Sequence, residues 1–419
     1  MKKLLNNRAA IYHNATIAIK SLAGPITFIL IAKSFTELEQ GLFFAFLSIG
    51  ALQLIFEAGM TTSFVQHIAS ERRRSYESEL YYGLLKGCVI WCSVSAIFFY
   101  LTSVAFAFYV FSGFSIQLWL LPLNVFALAL SLNMFSLFIY VVQEGSGDIL
   151  FVYKTRLWGA VVSLALLWLS LFFEAGLYSL AAAQIGYLIP LFIQGKTWRC
   201  MAHIFTSSEA NVRLAMYGLA SFQFRLTAVW VSGYLYWNSP VLLIFKFVDP
   251  VYAGKFGLTF SLMNAINQIG QGWLTTQRVR IGTMIADRKF KIARKLFDDV
   301  SKFSLLIVIS GLLCAVLMSA ILSEQFFFPR ALNTISFFVM GIYFALLCRI
   351  SNLATYTRCY KEEPLFKLFL IMNIVVPAAL YLSGLLNSIE IGLIFVVLIH
   401  FAFLFAAERI TKNFERGYS

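Results

Sequence analysis

The sequence predicts an all-α polytopic membrane protein with about twelve transmembrane helices. Three observations carry that expectation. First, 60% of the 419 residues are hydrophobic and 13% are charged, with a mean hydropathy of +0.79. A soluble domain has roughly 45–50% apolar and about 25% charged residues. Second, apolar runs recur along the whole chain, each close to the roughly 20 residues that a bilayer crossing needs. Third, Lys and Arg crowd into every second loop between these runs. This composition excludes a soluble enzyme, a disordered chain and a disulfide scaffold.

The apolar runs place spans near 11–33, 40–63, 87–111, 118–142, 156–173, 179–194, 215–237, 253–275, 303–322, 332–357, 368–386 and 391–407. Met1-Lys2-Lys3 has the charge of a signal-peptide start. Lys20 breaks the following apolar stretch and no small-x-small cleavage site follows, so a retained first span is expected. Gly24-Pro25 predicts a kink in it, because Pro lacks the N–H and crowds the preceding turn. The sixth run is short. After the seventh, Pro240, Lys246, Asp249 and Pro250 interrupt the pattern. That segment reads as an extracytoplasmic loop or a re-entrant piece. The longest inner loop, 276–302, carries a basic amphipathic stretch from Arg288 to Phe297. It is expected to lie on anionic headgroups.

The chain holds 33 Lys+Arg and 20 Asp+Glu, a net charge of +13. In a membrane protein this reads as the positive-inside bias rather than as nucleic-acid binding. With the N-terminus inside, the basic clusters around Arg72–Arg74, Lys196 to Arg213, Arg278 to Lys302 and Arg409 to Arg416 all fall on the cytoplasmic side. The outer loops hold only Lys246 and Arg330, beside Glu37, Glu39, Glu174, Asp249, Glu324 and Glu390. Both termini are therefore expected in the cytoplasm, with an even number of spans. The outer loops are too short to fold as domains.

A weak internal repeat runs through the pattern. Gly41-Leu42-Phe43 with Ser48 in the second span matches Gly254-Lys255-Phe256 with Ser261 in the eighth at one offset. Six spans plus six, with the substrate site between the halves, is a common transporter plan. The halves are expected at 1–205 and 206–419.

An ionisable group at mid-bilayer costs roughly 2.5–3.5 kcal/mol on insertion scales and so needs a reason. Four qualify: Lys20, Glu57, Arg225 and Arg349. Lys20 shares a small, polar helix face with Thr16, Ala23, Gly24 and Thr27. Arg225 sits at a comparable depth in the first span of the second half, so the two cations are expected to converge on one cavity. Arg349 shares a face with Gly341, Ala345, Asn352 and Tyr356. Glu57 follows Gln53 by one helical turn, with Thr61 a turn further on. The eighth span aligns Asn264, Asn267, Gln268 and Gln271 on one side. Such amides hydrogen-bond sugar hydroxyls, or equally join helices to each other. The functional reading is that Lys20, Arg225 and Arg349 hold an anionic substrate, since the planar fork of Arg bonds two phosphate oxygens at once. A structural Lys20–Glu57 bridge is the plain alternative.

Searching for catalysis finds no GxSxG, HExxH or P-loop. Six scattered cysteines without a CxxC pair, and four histidines, make no zinc site. No cofactor, metal or enzymatic activity is expected. Any pumping must be ion-coupled or driven by the substrate gradient.

Two blocks of sequence resemble a known family. The first is Glu39-Gln40-Gly41-Leu42-Phe43-Phe44-Ala45-Phe46-Leu47-Ser48, with Ala51-Leu52-Gln53, Phe56-Glu57-Ala58-Gly59 and Val65-Gln66-His67-Ile68-Ala69. The second is Pro240-Val241-Leu242, Pro250-Val251-Tyr252-Ala253-Gly254, Gly257-Leu258-Thr259 and Trp273-Leu274-Thr275-Thr276. Together they are similar to the bacterial polysaccharide repeat-unit (O-antigen, Wzx-like) flippases of the multidrug/oligosaccharidyl-lipid/polysaccharide exporter superfamily. The resemblance implies two six-helix bundles around a central cavity. It implies a lipid-linked oligosaccharide substrate on undecaprenyl diphosphate, moved from the cytoplasmic to the periplasmic leaflet of a bacterial inner membrane by alternating access. It also leaves room for the polysaccharide polymerase machinery as a partner and for proton or sodium coupling. The rival readings are an ion-coupled multidrug exporter of the same superfamily and a membrane polysaccharide polymerase.

Overall fold

The computed structural model describes residues 2–74, 79–206, 211–325, 327–360, 362–385 and 389–418; for some residues inside helices, Arg225 among them, only the backbone is described. Every regular element among the described residues is a helix. The chain divides into two compact units, Met1–Tyr234 and Leu235–Ser419. The division falls inside a helix rather than at the expected 205/206.

The first unit begins with α1 (Lys2–Ser34), which runs unbroken through Pro25. The expected second span is not one helix but three: α2 (Glu37–Gly50), α3 (Gln53–Glu57) and α4 (Met60–Arg74). Thr36 and Glu39 start α2 with a capping box, each side chain bonding the other's backbone N–H. At the other break, Ala58 and Gly59 take left-handed φ values of 50° and 73°. Gly59 does so without steric cost, whereas Ala58 carries strain there. Ser95 from the next helix donates to the Phe56 carbonyl at 3.1 Å, which satisfies a backbone group beside the break.

Four helices follow at the predicted places: α5 (Glu79–Val110), α6 (Ile116–Gly145), α7 (Ile149–Phe172) and α8 (Tyr178–Ile193). Asp148 caps α7 through the Phe151 N–H at 3.3 Å. α7 packs on both α1 and α8, and α6 on both α5 and α8. Gly186 makes the α7–α8 contact close: a Cβ there would stand 2.8 Å from the Ser163 Cα. A short α9 (Gly195–Thr206) precedes α10 (Val212–Trp237). The start of α10 belongs with the first unit because it packs on α5, where a Cβ on Gly83 would meet the Asn211 carbonyl at 2.6 Å. Near its other end the Tyr234 hydroxyl donates to the Ser48 carbonyl at 3.2 Å. These two anchors explain why the division falls at 234/235.

In the second unit the interrupted segment is a nine-residue helix, α11 (Ser239–Phe247), with Pro240 in its first turn. Pro240, Val241, Leu242, Ile244 and Phe245 are buried, so this is a packed helical piece and not an outer loop. Asp249 and Pro250, which break the apolar pattern, act as the N-cap and first residue of α12 (Pro250–Ala286), with Asp249 accepting from the Tyr252 N–H at 2.7 Å. Then come α13 (Phe290–Ile321), α14 (Thr334–Arg358), α15 (Phe366–Leu385) and α16 (Ile389–Arg416).

One expectation is overturned here. The basic stretch 288–297 is not a separate helix lying on the membrane surface. It forms the first turns of α13, continuous with the span. At 1.5 Å per residue α13 is about 48 Å long, well beyond a hydrocarbon core of about 30 Å. Ala293, Phe297 and Val300 pack its basic end against Leu274 and Ile281 of α12 and Leu353, Ala354 and Tyr356 of α14.

The core of the second unit contains a directed hydrogen-bond chain. The Tyr343 hydroxyl donates to the Tyr236 hydroxyl at 2.7 Å, and Tyr236 donates to His400 Nε2 at 2.9 Å. His400 Nδ1 stands 2.7 Å from the Val396 carbonyl. A carbonyl only accepts, so Nδ1 carries the proton and the direction of the chain follows. Every buried polar group in it thereby finds a partner.

Among the described residues, nine helical stretches are long and apolar enough to cross a membrane, and α8 is a shorter apolar one. With α10 and α12 at the predicted seventh and eighth positions, the helices match the twelve expected spans in order.

Candidate functional site

The first unit encloses a cavity of about 440 Å³ between α1, α3, α6, α7 and α8. Three residues singled out from the sequence line it: Lys20 from α1, and Gln53 and Glu57 from α3. A tight turn at Ala51–Leu52, still hydrogen-bonded from the Ala51 N–H to the Leu47 carbonyl and from the Leu52 N–H to the Ile49 carbonyl, sets off α3 as a turn and a half of helix before the left-handed break at Ala58–Gly59. Discontinuous helices are where transporters place substrate and ion sites, because freed backbone and polar side chains then face a cavity rather than lipid.

Lys20 and Glu57 share this cavity without forming an ion pair. The Lys20 ammonium stands over the Tyr187 ring, 5.4 Å from its centroid. Glu57 instead accepts the Thr61 hydroxyl at 2.5 Å, one helical turn on across the Ala58–Gly59 break.

The remaining polar wall was not foreseen. Asn133 on α6 donates to the Gln184 carbonyl at 2.9 Å and lies 3.1 Å from the Gln184 side-chain oxygen on α8. Ser163, Tyr140 and Tyr187 complete that side. Next to it, Arg156 packs over the Tyr140 ring at 5.3 Å and lies 3.9 Å from Glu144. Asn133 and Gln184 were visible as single amides inside apolar spans. Asn133 heads a row with Ser136 and Tyr140 on α6, but it holds fewer amides than the row that drew attention to the eighth span.

That row lies on α12 and grades in burial. Asn267 is buried and accepts from Gln271 at 3.2 Å, Asn264 is half-buried, and Gln268 is exposed. Spaced i, i+3, i+4 and i+7, the four amides share one side of the helix, with Asn267 at its packed edge and Gln268 at its open one.

Arg349 lies in the expected tenth span, where it meets a carboxylate that the sequence reading did not include. It lies in the second unit, half-buried, with Nη1 donating to the Ser301 hydroxyl at 2.8 Å. Its Nη2 lies 3.4 Å from Glu408 on α16, so its charge is compensated within the unit. Glu408 was missed because it follows the expected end of the last span by one residue, whereas α16 continues to Arg416. Beside this pair lies an apolar cavity of about 490 Å³. The side chain of Arg225 lies outside the described residues, and so does its expected convergence with Lys20.

No family model matches the chain, and no curated protein matches it by sequence. Solved structures do. An inward-facing multidrug-resistance MATE transporter of the MOP superfamily matches with a TM-score of 0.65 at 12% identity, over 96% of this chain and 95% of that one. The lipid II flippase MurJ in an inward closed conformation matches at 0.62 and 15% identity, over 95% and 87%. A MOP superfamily transporter from Pyrococcus furiosus, described by a reversed polarity of its binding pocket, matches at 0.58 and 13%, over 99% and 96%. The chain has the fold of these transporters along essentially its whole length.

Proposed function

We propose that the protein is a flippase that carries a lipid-diphosphate-linked oligosaccharide of the O-antigen type from the cytoplasmic to the periplasmic leaflet of a bacterial inner membrane. The observation that supports this reading is the first-unit cavity, where Lys20 meets Gln53, Asn133 and Gln184. A diphosphate entering hydrocarbon bare would bear a heavy desolvation cost. A cationic, polar-lined cavity lowers it, and the amides offer donors and acceptors for sugar hydroxyls. In this reading Lys20 and Arg225 hold the diphosphate, and Arg349 joins them only if Glu408 releases it. Gln53 contacts sugar, as do Asn264, Gln268 and Gln271 where α12 exposes them. Glu57 carries a coupling proton. A structural neighbour titled as a lipid II flippase favours a lipid-linked cargo.

Glu57 also favours a second reading, a multidrug exporter, because organic cations seek carboxylates and the first neighbour named above is such an exporter. Proteoliposomes separate the two. Under the flippase reading, a fluorescent undecaprenyl-diphosphate oligosaccharide changes leaflet and a cationic dye does not cross. Dye movement without lipid flipping puts the exporter in its place.

A further inference from the structure

Two cavities of the second unit lie in line along the same three helices. The first, about 650 Å³, sits where α13 begins and α14 and α16 end. Six cations line it against three carboxylates. Two of those carboxylates, Asp298 and Glu415, are taken by Arg294 at 3.0 and 2.7 Å. Arg294 is further fixed over the Phe297 and Tyr356 rings. Lys291, Lys295, Lys302 and Lys412 are exposed and enter none of the described ion pairs. The cavity is thus strongly positive, with an aromatic floor.

The second cavity, about 490 Å³, lies further along the same helices and is apolar. Leu305, Ile309, Leu312 and Val316 of α13 form one wall, and Phe338, Gly341 and Ala345 of α14 form another. Arg349 and Glu408 close its charged end. Its rim is open: Ile309, Leu313 and Phe338 keep 39, 50 and 48% of their surface exposed. From Leu305 to Val316 the helix rises about 16 Å, half of a hydrocarbon core of about 30 Å.

We infer that these two cavities form one binding groove for an anionic phospholipid of the bilayer. The phosphate headgroup lies at Lys302 and Lys412, which stand three residues from Leu305 and four from Glu408 of the trough, and one acyl chain lies in the apolar trough. Charge and depth choose this occupant. Basic pockets at the end of spanning helices attract lipid phosphates, and the basic end of α13 is the one that the positive-inside rule assigns to the cytoplasm. The trough is one leaflet deep, which suits an acyl chain and not a polyprenyl chain that outruns a leaflet. Gly341 keeps the trough open: a Cβ there would only touch Leu312 and Val316 at 3.9 Å, so a larger side chain would fill the space.

The test is native mass spectrometry of the full chain, delipidated in detergent and titrated with phosphatidylglycerol, phosphatidylcholine or undecaprenyl diphosphate. Wild type is expected to retain phosphatidylglycerol over phosphatidylcholine. Lys302→Gln/Lys412→Gln acts at the exposed head site, and Gly341→Leu acts in the trough. Each is expected to lower phosphatidylglycerol occupancy about tenfold with an unchanged helical circular dichroism spectrum. Equal retention of both phospholipids overturns the inference. So does unchanged phosphatidylglycerol occupancy in the Lys double variant, or its displacement by equimolar undecaprenyl diphosphate. None of these readouts depends on transport.

Discussion

The Lys20 ammonium lies 5.4 Å from the centre of the Tyr187 ring, and among the described residues no carboxylate pairs with it. A cation over an aromatic face gains about 0.5–2 kcal/mol while keeping its full charge. Glu57 lines the same cavity but spends its hydrogen bond on Thr61. Lys20 is thereby held against an aromatic face with no carboxylate paired to it among the described residues, which is what the proposed role toward an incoming anion requires.

The first expectation concerns that charge. Lys20→Ala should reduce flipping of the lipid-diphosphate oligosaccharide at least tenfold, with normal membrane insertion, while Lys20→Arg keeps most of it. A tenfold loss corresponds to about 1.4 kcal/mol of lost stabilisation. Equal flipping by wild type and Lys20→Ala removes the role given to this cation.

Glu57→Gln retains an oxygen for the Thr61 hydroxyl and removes only the charge. If Glu57 carries the coupling proton, flipping by this variant should no longer respond to an imposed pH gradient. A response matching that of wild type assigns coupling elsewhere.

Ala58 tests the break between α3 and α4. Its φ of 50° favours glycine. Ala58→Gly should leave the melting temperature in detergent unchanged or raise it. Ala58→Val should lower stability by about 1–3 kcal/mol, because a β-branched residue tolerates this backbone least. Equal melting of both variants would show that the left-handed turn is absent.

Gly186 tests the cavity wall. A side chain there must displace the Ser163 backbone, since a Cβ would already stand 2.8 Å from its Cα. Gly186→Leu is expected to cost about 1–3 kcal/mol by overpacking. Melting at the wild-type temperature would remove the close α7–α8 contact.

Arg349 and Glu408 are partly exposed, so their pairing is worth less than that of a fully buried pair. A double-mutant cycle of Arg349→Gln and Glu408→Gln should return a coupling of about 0.5–1 kcal/mol. Additive single effects would mean that Arg349 is free and available to substrate after all.

Much of the fold was legible in the sequence. The spans follow from apolar run length, because the bilayer demands about 20 residues whatever the neighbours are. The starts of α2 and α12 were not read from the sequence: the structure shows Thr36 and Asp249 as caps, and hydropathy registers Asp249 only as a break in an apolar pattern. The site was legible in part. Lys20, Gln53 and Glu57 stand out because a polar group inside an apolar run needs a reason. Asn133 and Gln184 meet the same criterion, but their pairing spans 51 residues and leaves no local pattern.

The sequence by itself determined that this chain is a helical membrane protein with a cation in its first span and a carboxylate in its second, because hydropathy and charge are properties of each residue. Only the tertiary structure decided that Lys20 pairs with no carboxylate among the described residues, that Glu408 takes Arg349, and that the basic start of α13 runs on into the span that lines an apolar trough. Those outcomes depend on distances between helices far apart in the chain. Helical periodicity states which way a side chain faces, but not what it meets.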